Sequence, residues 1–285
     1  LTFQPGDELL TTDHAYNACR NALDAVAERS GAKVVVAPIP FPIDGPETAS
    51  AALLAVATDR TKLVLLDQIT SPTGLVLPAA ELVAAFAARG IDTLVDGAHA
   101  PGMVELDLDA MGAAYFTGNC HKWLCTPKGC AFLHVRRDRQ HLIRPLTISH
   151  GANSPRADRS RFRLEFDWTG TRDPSPWLVL PEAIGFLAGL LDGGDLSTGL
   201  RALRDHNHDL AVTGRTLLLK ALDQPEPCPE SMLGSLASIP LVAGSGEPLT
   251  RDRIAPEALL RDLRDRFRIE VPVMPHPGQG LERGQ

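Results

Sequence analysis

The chain has 285 residues, room for one large domain or a large and a small one, with 44% hydrophobic residues to supply a core and 22% charged ones to suit a soluble globular surface. Its net charge of −7 comes with lysines and arginines dispersed, which excludes a nucleic-acid binder built on a concentrated basic face. No apolar run approaches the roughly 20 residues of a membrane-spanning helix, and no secretory signal opens the sequence.

The sequence begins at Leu1 and enters a strand and then a helix within a few residues, an abrupt start that points to further residues upstream. Apolar residues at helical spacing predict a helix over Asn17–Ser30, stopped by Gly31, and 33–39 reads as a buried strand. Residues 49–57 are helical, and the continuous apolar run KLVLLD at 62–67 has strand length. Pro78 opens another helix that ends at Gly90, and Asp96 closes the strand predicted for 91–95. Helix-length segments between short apolar runs imply a parallel sheet flanked by helices, an α/β fold. Catalytic groups in such sheets collect beyond the carboxyl ends of the strands, so 68–74, 96–100 and the loop around Lys122 belong on one rim.

From 118 to 135 the pattern is a loop and then a strand over 129–135, and the Pro-, Ser-, Arg- and Asp-rich stretch 145–176 reads as one long surface loop. Residues 176–191 and Leu196–Leu222 read as long helices. Past Pro225 the composition turns Pro-rich, with strands expected near 238–242 and 268–273 around the helix Pro256–Phe267. These changes divide the chain into a large domain over 1–195 and a small α+β domain over 196–285.

Cys19, Cys120, Cys125, Cys130 and Cys228 match neither a zinc site nor a disulfide framework, so they count as small apolar residues and no metal is expected. An odd number of thiols without a signal peptide favours a reducing, cytoplasmic setting.

The chemistry concentrates on Asp96, in LVDGAHAPG, and Lys122, in TGNCHKW. A carboxylate at a strand end followed by a loop lysine is what pyridoxal 5'-phosphate requires. The lysine forms an imine with the cofactor, and the carboxylate keeps the pyridine nitrogen protonated so that the ring accepts electrons from the substrate's α-carbon.

DGAHAPG and the HKW…PKG stretch resemble the class V aminotransferase family of fold-type-I enzymes, which includes cysteine desulfurases, and within it the isopenicillin N epimerase-like group. The resemblance runs from Gly6 to about Val273. It implies Lys122 as the Schiff-base lysine, Asp96 as the pyridinium partner, His99 near the cofactor's phenolic oxygen and His121 at the phosphate. LTTDHAYNA resembles the segment whose histidine stacks on the ring, which would be His14. DWTGTRD resembles the loop whose threonine reaches the phosphate of a neighbouring subunit's cofactor, which would be Thr171 and would make the active site that of a homodimer. Ser71, in ITSPTG, stands where many relatives carry an asparagine that touches the ring, and Arg172 is a candidate for an acidic substrate group.

The family's phosphate cradle lies upstream of the segment matching Leu1, and its carboxylate-binding arginine lies beyond the segment matching 268–273, where PGQGLERGQ ends the sequence. Epimerisation is the first expectation, with Lys122 serving one face of the α-carbon and His14 or Tyr16 the other. Carbon–sulfur cleavage and transamination stay open, as does a degenerate dimeric scaffold. A desulfurase would need an exposed mobile cysteine, and Cys228 is the thiol in a loop context.

Overall fold

The computed structural model describes residues 1–191, 194–241 and 256–274. Six strands form one sheet: β1 (Glu8–Thr12), β2 (Lys33–Ala37), β3 (Thr61–Asp67), β4 (Asp92–Gly97), β5 (Tyr115–Asn119) and β6 (Ala131–Val135). Their order is β2-β1-β3-β4-β5-β6, parallel from β2 to β5, with β6 antiparallel at the edge. The expected mostly parallel α/β sheet is borne out.

Side chains alternate across each strand, so β3 feeds two cores. Leu63 and Leu65 pack with Leu9, Leu23 and Ala27 beneath α1 (Asn17–Ser30). Val64 and Leu66 pack with Leu10, Leu53, Leu82 and Phe86 beneath α2 (Pro46–Val56) and α3 (Ala79–Ala88). Helices thus cover both faces, as a parallel sheet of continuous apolar strands demands. Gly31 ends α1 at φ 74°, where its amide reaches the Ala27 carbonyl.

After β4 come α4 (Leu108–Met111), α5 (Arg161–Phe166), α6 (Ser175–Leu178), α7 (Leu180–Ala188), α8 (Leu196–Leu222) and α9 (Pro256–Phe267). Asp195 caps α8 by accepting from the amides of Ser197 and Thr198, which fixes the predicted start. Cys228, Met232 and Leu233, downstream of α8, belong to the same core as Leu10 and Val64.

Several expectations need correction. Tyr115–Asn119 is a strand, β5, paired to β4 and β6; the sequence YFTGN is too short and polar to declare itself without those neighbours. The stretch 145–176 is broken by a 3-10 turn at His150–Asn153 and by α5, which Ser160 caps by accepting from the Arg163 amide. The helix expected over 176–191 is two, α6 and α7, with Pro181 in the first turn of α7 unable to donate back to the preceding turn. Residues 238–241 and 268–273 are not strands, and among the described residues no strand lies beside them to complete a ladder; Ser238 instead donates its hydroxyl to the Pro72 carbonyl. Val242 and the PGQGLERGQ end lie outside the described residues.

Candidate active site

The carboxyl ends of β3, β4 and β5 form one rim, and register brings Asp67 beside Asp96, Asp96 beside Thr117 and Gly97 beside Gly118. Asp96 Oδ1 accepts from the Ala98 amide at 3.0 Å, while Oδ2 accepts the thiol proton of Cys19, on α1, at 3.3 Å. The carboxylate is therefore fixed from its own turn and from the helix above. Gly102, at φ +87°, lets the turn after β4 pass against Trp123: a Cβ there would lie 2.9 Å from the Trp123 carbonyl carbon.

Lys122 sits in the connection from β5 to β6. The carbonyl of Cys130 accepts from the amides of Cys120 (3.0 Å) and His121 (3.2 Å) and from His121 Nδ1 (2.9 Å), which pins both ends of that loop together. His121 Nδ1 must carry a proton to make this bond, which leaves Nε2 as the ring's other nitrogen.

Lys122 Nζ lies 3.1 Å from His99 Nε2, and Trp123 Nε1 lies 3.3 Å from His99 Nδ1. An indole nitrogen only donates, so His99 Nδ1 is the acceptor and carries no proton. In the neutral ring the proton then resides on Nε2, which donates to Lys122, and Lys122 must present a lone pair. Burial, and then the nearby Lys122, push the His99 pKa down to about 4, so the neutral ring is the form near neutral pH. Burial likewise holds the Lys122 pKa below the usual lysine value, although Asp96, Cys19 and Asp67 pull against it. Burial and the His99 contact both work against a proton on Lys122, in a site containing two carboxyls.

Asp67 is 3% exposed, and its Oδ2 has no hydrogen-bond partner among the described residues. Burial first and Asp96 second push its pKa up to about 8. Burial, then Asp96, drives Cys19 to about 12, so this thiol remains a donor.

His14 is fully buried, and both ring nitrogens are engaged, Nδ1 with Thr73 Oγ1 at 2.8 Å and Nε2 with the Ile39 carbonyl at 3.0 Å. Thr73 continues to Thr70 Oγ1 at 2.7 Å, which takes the Leu75 amide at 2.9 Å, so His14 ends a hydrogen-bonded chain that organises the turn after β3. Tyr16 is 50% exposed just ahead of α1. Ser71 is half-buried in the turn after β3, and among the described residues no hydrogen bond joins it to Asp96 or Lys122. Thr171 is exposed. Arg172 lies 4.2 Å over the Trp177 ring and donates to the Gly129 carbonyl at 3.1 Å, tying its segment to the lysine loop.

Sequence reasoning missed Asp67, the Cys19 contact and the action of Trp123 on His99. Only Asp67 carried a signal: it closes an apolar strand just as Asp96 does. All five cysteines are free thiols, Cys125 is the exposed one, and Cys228 is buried against the Arg215 side chain and the main core. Among the described residues no cluster could hold a metal ion and no helix is long and apolar enough to cross a membrane.

The aminotransferase class-V family pattern matches residues 1–209. Isopenicillin N epimerase of Streptomyces clavuligerus is 37% identical over 291 residues, covering 97% of this chain and 68% of its own length. A candidate L-cysteine desulfhydrase of Oryza sativa subsp. japonica is 33% identical, over 95% of this chain and 56% of its own length. Among solved structures, the cystine C–S lyase C-DES in complex with cysteine persulfide superimposes with a TM-score of 0.65 at 21% identity, over 96% of this chain and 69% of that one.

Proposed function

The chain belongs to the class-V aminotransferase family and has the fold-type-I architecture of pyridoxal-phosphate enzymes, and from that premise we propose that it epimerises an amino acid, or an amino-acid side chain, at its α-carbon. The resemblance carried by DGAHAPG and HKW is thereby borne out at the level of the family.

The donor set fits pyridoxal 5'-phosphate, and the Lys122 amine 3.1 Å from His99, on the rim that carries Asp96, is the observation that carries the proposal. Lys122 would anchor the cofactor, Asp96 would face its ring nitrogen, His99 its phenolic oxygen and His121 Nε2 its phosphate. When bound, the cofactor supplies an electron sink for negative charge developing at the substrate's α-carbon. The chain's own part is to orient that carbon and move a proton at it.

Lys122 would take the α-proton from one face. Epimerisation needs a second group on the opposite face. His14 would have to break its bond to Thr73 or Ile39 to serve, whereas the half-exposed Tyr16 hydroxyl has no such cost. We therefore propose Tyr16 for the second face, with His14 holding the turn behind it.

Thr171, in the exposed segment between Trp168 (57% exposed) and Leu178 (73%), is proposed to reach the phosphate in a second copy of the chain. The division at residue 196 into a large and a small domain belongs to the same proposal.

Carbon–sulfur cleavage is the second reading, favoured by the 33% identity to the rice relative. It would proceed without a protein thiol at Cys228, because a buried thiol beside Arg215 and core side chains cannot travel to a substrate. Proton NMR of the holoenzyme in deuterated water, with isopenicillin N, cysteine and cysteine conjugates as candidate substrates, separates the two. Loss of the α-proton signal with both epimers appearing supports epimerisation. Pyruvate or a released thiol overturns it in favour of a lyase.

A further inference from the structure

We propose that Asp67 is a positioning residue for the cofactor site, holding as a neutral acid the proton that leaves Asp96 as the single carboxylate of an adjacent pair. The inference rests on the reading of this site as a pyridoxal-phosphate site, and it adds a residue that none of the motifs contains.

Asp67 and Asp96 are register partners on neighbouring parallel strands, so their Cα atoms stand about 4.8 Å apart across the sheet. Both side chains leave the same face. Leu65, two residues before Asp67, lies in the core under α1, and Leu94, two before Asp96, packs against it. Cys19 approaches from α1 on that face, and Lys122 from the loop after β5. The groups that face Asp67 are therefore Asp96 from β4, the Cys19 thiol and the Tyr16 amide from the start of α1, and Lys122.

Two carboxylates at this spacing, one of them buried, cannot both be ionised cheaply, so the pair keeps a proton. Its location follows from burial. Asp96 is half-buried and accepts from Cys19 and from the Ala98 amide. Asp67 accepts from the Tyr16 amide and its own, but it is nearly sealed and its Oδ2 has no partner among the described residues, so burial outweighs those bonds and disfavours its charge. The proton therefore stays on Asp67. Its raised pKa agrees with this assignment. The consequence is one negative charge in the pair near neutral pH, and a second when Asp67 ionises. That second charge strengthens the hold on protons at both the cofactor's ring nitrogen and Lys122.

The test is a titration of the holoenzyme's visible cofactor absorbance from about pH 6 to about pH 10, bracketing the expected ionisation, for wild type, D67N and D67S. Wild type should show a transition near pH 8. D67N, a permanent mimic of the neutral acid, should keep the neutral-pH spectrum and lose that transition, and D67S should lose it as well. A residue that merely packs would leave the titration unchanged. Infrared difference spectra of wild type give a second measurement that needs no variant: a protonated-carboxyl carbonyl band present at neutral pH and lost through the same transition. An unaltered titration in D67N, or no such band in wild type, overturns the role of Asp67 while leaving the cofactor reading intact. If wild type captures no cofactor at all, both fall.

Discussion

Lys122 Nζ meets His99 Nε2 at 3.1 Å, and that contact is polarised by the residue next to the lysine, since Trp123 donates its indole N–H to the far side of the same ring at 3.3 Å. The donor-only indole fixes the tautomer, and the tautomer fixes the protonation state that Lys122 must adopt to be compatible with it. Neighbours in sequence thus act on each other through a third residue that β4 delivers.

W123F removes the tautomer lock, and Lys122 should then hold a proton more tightly. The expected effect is the loss of about 1 kcal/mol of hydrogen bonding, which slows cofactor capture at neutral pH roughly fivefold. The pH profile of capture, followed by absorbance after mixing with pyridoxal 5'-phosphate, should move to higher pH. H99Q should keep the profile of wild type, because its amide can accept from Trp123 and donate to Lys122 at once. A profile unmoved in W123F would break the argument.

Thiol reactivity should sort by burial and charge. Cys125 is exposed, whereas burial raises the pKa of Cys19 and of Cys120 to about 12 and that of Cys228 above its ordinary value. Alkylation with iodoacetamide near neutral pH, mapped by mass spectrometry, should mark Cys125 first and leave Cys19 unmodified until the fold opens. Early labelling of Cys19 would contradict its bond to Asp96.

Much of this architecture was written locally. KLVLLD has the length and continuous apolarity of a strand buried on both faces, Gly31 ends a helix in the left-handed region, and Asp195 starts one with its own carboxylate. Asp96 and Lys122 could be paired because strand end and loop share a rim whenever the sheet is parallel. What escaped depends on distant partners. The strand YFTGN is made by β4 and β6 on either side of it, and Cys19 reaches Asp96 only when α1 folds back over the sheet. His14 looked available in LTTDHAYNA, but a threonine turn and the Ile39 carbonyl enclose it. Asp67 ends its strand as Asp96 does, yet its importance comes from register, which no linear pattern states.

Two buried carboxyls should give pH dependences of opposite sign. Glu8 accepts from Thr58 (2.6 Å), Arg60 (3.0 Å) and Thr61 (3.3 Å), and the Thr58 hydroxyl, foremost among these, holds its pKa below the usual value. Its contribution is present above about pH 4.3 and is lost as pH falls through its lowered folded value. E8Q should cost about 2 kcal/mol at neutral pH, and the deficit should shrink in acid. Asp67, raised from 3.8 to about 8, binds its proton more tightly folded than unfolded, so stability falls as pH rises between those values. D67N should flatten that slope. Urea unfolding across pH checks both, and a D67N slope equal to that of wild type would contradict the raised value.

Two glycines with positive φ separate backbone strain from close approach. Gly112 ends α4 at φ +68°, and a Cβ added there would meet nothing within 4 Å, so G112A meets only the left-handed backbone penalty, about 1–2 kcal/mol. Gly102, at φ +87°, meets that penalty and also places a methyl 2.9 Å from both the carbonyl carbon and oxygen of Trp123. Backbone atoms cannot swing aside as a flexible side chain does, so the turn after β4 or the lysine loop must shift. G102A should therefore lower the urea midpoint further than G112A does and slow cofactor capture, because the displaced loop carries Trp123 away from His99 and Lys122 with it. G112A should leave capture unchanged. Equal effects of the two substitutions on capture would mean that the spacing between these two segments does not set the geometry at Lys122.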